Sequence, residues 1–186
     1  MKKLAYIIVL LSIIGCNKDS DKNSNLETTK KKVIEKEFQF PNDYLGIYKG
    51  ELLNTSSNGT EKIPMELHLL KTQDSIRFDY KIFYGQERSE RGYTLVKTEN
   101  PNIYELDENN GIVLPIAYSK NTLFSTYEVA GNLLNNSEVF YEDRMDFMIT
   151  MSSLKTKEAA GEAEGYQVTS YPVLVMQQAT LYKIKE

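Results

Sequence analysis

From residue 41 onward the chain alternates apolar and polar positions with a period of two, the spacing of strands that bury one face and wet the other. Ile76, Phe78, Tyr80, Ile82 and Tyr84 alternate with Arg77, Asp79 and Lys81. Met65, Leu67 and Leu69 alternate with Glu66 and His68, and Phe147, Ile149 and Met151 make a third such face. Turn-forming clusters fall between these runs: Asn58-Gly59, Thr72-Gln73-Asp74, Tyr84-Gly85-Gln86, Asn100-Pro101-Asn102, Asn110-Gly111, Lys120-Asn121 and Asn135-Asn136-Ser137. Asn-Gly suits the positive φ angles of a tight hairpin. The pattern predicts strands over 44–53, 63–71, 75–84, 91–97, 103–107, 111–118, 122–130, 138–142, 144–152 and 173–184. Short strands joined by hairpins, with no long amphipathic helix, predict an all-β domain that is an antiparallel barrel or sandwich. Residues 154–171 break the alternation with Lys-Glu-Ala-Ala-Gly-Glu-Ala-Glu-Gly near their centre, and predict a long mobile loop with one helical turn at most.

The opening run Tyr44-Leu45-Gly46-Ile47-Tyr48-Lys49-Gly50-Glu51-Leu52 resembles the first strand of lipocalin-like, or calycin, barrels, where a Gly-x-aromatic motif starts the barrel and small residues let the strand bend. With Asp107-Glu108-Asn109-Asn110-Gly111-Ile112 and Val168-Thr169-Ser170-Tyr171-Pro172, residues 41–186 resemble lipocalin-like bacterial lipoproteins of unassigned function. The resemblance implies an antiparallel up-and-down β-barrel of about eight to ten strands with room for a cavity, and it implies no particular ligand.

The N-terminus has a different character. Met1-Lys2-Lys3 is basic, and Leu4 to Ile14 is apolar except at Ser12, a run too short to span a bilayer, which takes about 20 residues. It ends in Leu11-Ser12-Ile13-Ile14-Gly15-Cys16, which resembles the lipobox cut by the bacterial lipoprotein signal peptidase. The expected organisation is a signal peptide over 1–15, a lipidated Cys16 and flexible tether over 16–40, and a barrel domain over 41–186. Cys16 is the only cysteine, so no disulfide set is available, and acylation by chains such as palmitate gives the lone thiol a role. The expected address is the cell envelope, with the chain lipid-anchored to the outer membrane on its periplasmic face or at the cell surface. Lys18-Asp19-Ser20-Asp21 resembles an acidic surface-export signal and reads equally well as linker.

Loss of Lys2 and Lys3 with residues 1–15 takes the formal charge from −4 to −6, which removes the basic footprint of a nucleic-acid binder. His68 is the only histidine and lies on a polar strand face without a partner in sequence, so no histidine-dependent nucleophile and no His or Cys zinc site is expected. Two carboxylate pairs, Glu105 with Asp107 and Asp143 with Asp146, read as solvated or turn residues rather than a glycosidase pair. Asp107-Glu108-Asn109-Asn110-Gly111 shares the oxygen-rich spacing of a calcium loop, but Ala117 and Tyr118 stand where its bidentate Glu belongs, so a hairpin turn is expected. No cofactor is implied.

With 13 Tyr, seven Phe and no Trp, the chain is well supplied with rings for half-buried strand faces. Tyr48, Phe78, Tyr80, Tyr93, Tyr104, Phe124 and Tyr127 are the candidate lining of a barrel interior. The sequence predicts a membrane-anchored protein, not an enzyme, that binds a small apolar or amphiphilic ligand. The alternative is an interaction module with a filled barrel that docks another envelope protein; a hydrolase ranks third.

Overall fold

The computed structural model describes residues 38–185; the expected signal peptide, Cys16 and the tether up to residue 37 lie outside the described residues. Ten strands close into one antiparallel barrel, and two more form a separate hairpin. The barrel strands β1 (Gly46–Ser56), β2 (Gly59–Lys71), β3 (Arg77–Tyr84), β4 (Ser89–Lys97), β5 (Ile103–Asp107), β6 (Val113–Ser119), β7 (Thr122–Val129), β8 (Asn132–Phe140) and β9 (Arg144–Ser153) each pair with the next in sequence. After the hairpin of β10 (Glu158–Ala163) and β11 (Tyr166–Ser170), β12 (Val173–Lys183) inserts between β9 and β1 and closes the ring. This is a lipocalin-like up-and-down barrel. Closure leaves the ten strands without an exposed sheet edge.

Alternation decides what faces inward. Met65, Leu67 and Leu69 on β2, Phe78, Tyr80 and Ile82 on β3, and Met145 and Phe147 on β9 are all buried, while the residues between them look outward. Gly50 is where β1 is most tightly hemmed in: a Cβ there would lie 2.5 Å from the Thr180 carbonyl oxygen and 3.0 Å from the Leu181 side chain, so only glycine lets β1 and β12 approach.

One end of the barrel is sealed by rings. Phe38 and Phe40, which the sequence pattern leaves in the tether, pack there with Tyr44. Phe40 stacks on Tyr118 at 4.8 Å, meets Tyr104 edge-on at 5.2 Å and lies 5.3 Å from Phe140. The Tyr104 hydroxyl donates to the Phe40 carbonyl at 3.2 Å, and the Tyr48 hydroxyl donates to the Tyr44 carbonyl.

Two expectations are corrected. Asn135-Asn136-Ser137 is not a turn but the middle of β8; the turn before it is Ala130-Gly131, whose φ angles of 51° and 76° are those of a tight two-residue hairpin. Residues 154–171 are not an irregular loop. A 3-10 turn over Leu154–Thr156 leads into the β10–β11 hairpin, whose β10 residues are all exposed, so neither face shows the alternation that marks a barrel strand.

Candidate functional site

The lumen is not apolar throughout. Glu138 on β8 points inward and is 4% exposed. Tyr80 on β3, 1% exposed, donates its hydroxyl to Glu138 Oε2, and Asn136 Nδ2 donates to Glu138 Oε1 at 2.9 Å. Strands β3 and β8 lie five places apart in a ring of ten, so the Tyr80–Glu138 bond crosses the full width of the barrel. It forms a polar floor. The Oδ1 of Asn136 is buried with no hydrogen-bond partner, a condition rare in folded proteins because a buried acceptor loses its water.

The groups around the floor answer to it. Burial pushes the Glu138 carboxyl above its usual range, against the opposing effect of the bonds from Tyr80 and Asn136. Burial, then the field of Glu138, holds the Tyr80 phenol well above its usual value. Tyr84 and Tyr127 are also raised, first by burial and then by nearby groups that include Glu138. Tyr93 is raised by burial and by Glu108, while Arg91 opposes the shift. These three rings stay half-buried, as do Ile63, Leu106, Leu114 and Ile149 on the neighbouring walls.

This open end of the lumen carries a recess of about 320 Å3 bordered by Glu90, Arg91, Tyr93, Glu108 and Asn110. Ile112, Val113, Val129 and Val173 stand exposed at the strand ends around the same mouth. A larger concavity, about 410 Å3, lies elsewhere, on the outer wall over β1, β12, β9 and β8, where Leu53, Val139 and Met148 are flanked by Glu51, Asp146 and Gln178.

The sequence-named rings separate into three groups. Tyr48, Phe78, Tyr80 and Tyr104 are buried in the lumen, and Tyr93 and Tyr127 line the mouth. Phe124 does not line the interior: it is 46% exposed on the outer wall, because Leu123 and Ser125 take the inward positions of β7. Missed altogether were Glu138 and Asn136. The signal was the Asn-Asn-Ser-Glu run itself, in which every second polar residue faces the lumen.

The other candidates are satisfied outside the barrel. His68 Nε2 lies 3.0 Å from Glu66 Oε2, and its ring lies 4.7 Å from that of Phe83. Burial pulls the Glu66 carboxyl up, but the bonds from His68, Lys49 and Arg88 outweigh it and bring it down to about 2. Asp107 pairs with Arg77 at 3.5 Å and Asp143 with Arg144 at 3.2 Å, while Asp146 accepts from the Thr180 hydroxyl at 2.7 Å. Among the described residues no group of three or more His, Cys, Asp or Glu side chains is placed to hold a metal ion.

No protein-family model matches the chain, and no curated protein is similar to it in sequence. Several solved structures share its fold, two of them as follows. One, a protein of unknown function from the DUF3598 family of Nostoc punctiforme, is 13% identical with a TM-score of 0.56 over 77% of this chain; the match spans 48% of that chain, about half its length. The other, an S-type phycobiliprotein lyase from Guillardia theta, is 10% identical with a TM-score of 0.51 over 78% of this chain and 90% of its own.

The second likeness corrects the expectation that the chain is not an enzyme, since a protein named as a lyase uses the same barrel. That expectation rested on the scarcity of His and Cys and on carboxylates adjacent in sequence. A carboxyl raised by burial and a phenol are acid–base equipment in their own right, and here they are brought together from β3 and β8.

Proposed function

We propose that this chain is a lipid-anchored protein of the bacterial envelope that takes a small amphiphilic molecule into the mouth of its barrel. The observation that carries the reading is the floor of Tyr80, Asn136 and Glu138 with its unmatched acceptor. A barrel built only for stability gains nothing there, because a buried carboxyl costs several kcal/mol unless it is fully matched, and apolar side chains of similar volume fill such a space at no such cost. Above the floor, half-buried tyrosines and aliphatic walls lead up to a mouth recess bordered mainly by polar groups, a make-up that suits an amphiphilic guest. The likeness to a named lyase supports a barrel that does more than hold its cargo, with Glu138 as the group to hand a proton to it.

The first test is native mass spectrometry of the full chain purified gently from its own host, compared with its denatured mass. An extra mass that organic extraction removes is expected, and Tyr93→Ala with Tyr127→Ala should reduce it. A native mass equal to the bare chain, with no uptake of apolar dyes, would sink the reading. It would favour instead a docking module that uses the outer-wall groove of Leu53, Val139 and Met148. Anchoring has its own test: labelled palmitate should enter the chain and be lost in Cys16→Ser, and a label that persists in that variant would rule out the lipobox.

A further inference from the structure

Among the described residues, Glu138 bonds only Tyr80 and Asn136, and both are neutral donors. No lysine or arginine among the described residues bonds it. A carboxyl sealed inside a barrel normally has a cation beside it or is absent. Asn136 Oδ1 adds an acceptor with nothing to accept. The groups around this acid are phenol rings from three strands: Tyr80 and Tyr84 on β3, Tyr93 on β4 and Tyr127 on β7. Tyr80 and Tyr93 lie 6.3 Å apart, centre to centre. The charged groups that act on these rings at the mouth are Glu108 and the exposed Arg91.

The buried acid, the unmatched acceptor and the rings together suit a single class of head group. A carboxylate ligand would face the unmatched Asn136 Oδ1 and would give Glu138 no positive partner with which to ionise. A hydroxyl would satisfy one acceptor but brings no positive charge with which Glu138 could form an ion pair. A primary ammonium supplies three N–H donors and one positive charge, and the negative faces of tyrosine rings attract it further. We infer that the barrel recognises an aliphatic amine, entering head first so that its ammonium reaches Glu138 and Asn136 Oδ1 within the tyrosine walls while its apolar tail lies against Leu106, Leu114 and the exposed valines of the rim. The inference rests on the reading of the lumen as a ligand site. Burial of Glu138 favours its neutral form, and an arriving ammonium supplies the counter-charge that lets the carboxyl ionise, its proton passing to solvent water.

The test is a set of probes with one tail and different heads: octylamine, octanol and octanoate at pH 7, titrated calorimetrically into the full chain carrying Cys16→Ser, with N-phenyl-1-naphthylamine as an apolar reporter. Octylamine should bind at least about tenfold tighter than the other two, as one matched charge and its hydrogen bonds allow. Glu138→Gln, which keeps the size of the side chain and an acceptor for Tyr80, should bring octylamine to within about twofold of octanol. The wild-type series stands without any variant, so a failure of Glu138→Gln to fold leaves the question answered. Octanoate or octanol binding as tightly as octylamine would overturn the amine while leaving the lumen a ligand site. Preferred octanoate would mean that the Asn136 amide presents its N–H groups to the lumen. Reporter uptake without discrimination would likewise overturn the amine alone. No uptake of the reporter and no heat from any probe would overturn the ligand site itself, and the amine with it.

Discussion

At the scale of single residues, two carboxyls pull stability in opposite directions with pH. Glu138 is raised by burial, so its native form holds a proton that the unfolded chain has already released; its contribution is whole below the ordinary carboxylate value of 4.5 and is lost as pH rises through the raised native value. Glu66 is lowered to about 2, so its contribution is whole above 4.5 and is lost as pH falls toward 2. Urea denaturation between pH 5 and 8 should therefore show stability falling with pH, and Glu138→Gln should flatten that slope. Above the raised native value the variant should be the more stable of the two, because it has no proton to lose. An unchanged slope would mean that Glu138 is ionised or hydrated in the native state. The residue scale was also the least legible in sequence. A polar side chain on the inner face of a strand breaks the same alternation that identifies the strand, so Asn136 read as a turn residue and Glu138 as the start of a strand over 138–142 with no part in a site. Phe124 failed for the opposite reason, because an aromatic ring on an outer face looks in sequence like one on an inner face.

At the scale of elements, alternation gave nearly every barrel strand its place. The run 103–107 coincides with β5, and the expected 63–71, 75–84, 91–97 and 144–152 differ from β2, β3, β4 and β9 only at their ends. Strand ends move because hydrogen-bond pairing, not burial, decides how far a ladder runs. The low-complexity stretch after β9 was illegible as strand, since β10 and β11 pair only with each other and bury almost nothing. Such a hairpin is marginal by itself and contributes little to the barrel. Deleting residues 158–170 with a short Gly-Ser link should change the barrel's stability by less than about 1 kcal/mol, as surface changes usually do; a larger loss in thermal melting would show that the hairpin braces the mouth. Gly50 is the contrasting case. Gly50→Ala puts a methyl group against the Thr180 carbonyl and the Leu181 side chain, and should cost about 1–3 kcal/mol in denaturant unfolding.

At the scale of the whole molecule, the barrel divides into a sealed half and an open half. The aromatic seal of Phe38, Phe40, Tyr44, Tyr104, Tyr118 and Phe140 is continuous with the apolar filling, and the sequence showed its ingredients but not its position, because the two phenylalanines precede the first strand. Closure of β12 on β1 joins the two ends of the domain, a pairing that no local pattern reveals. If the lumen takes the guest proposed above, the crossbeam of Tyr80 and Glu138 stands at a fixed height and would make the lumen a depth gauge. From Tyr80 to Tyr84 the β3 strand rises four residues, about 13 Å at ~3.3 Å each. A guest that rests on the beam is sheltered over that length and no further. Among chain-like guests with one head group, affinity should climb with each added carbon until the tail reaches the rim and then level off, which a calorimetric series of lengthening tails would show. The molecule would thus sort its guests by how much of them stays below the waterline.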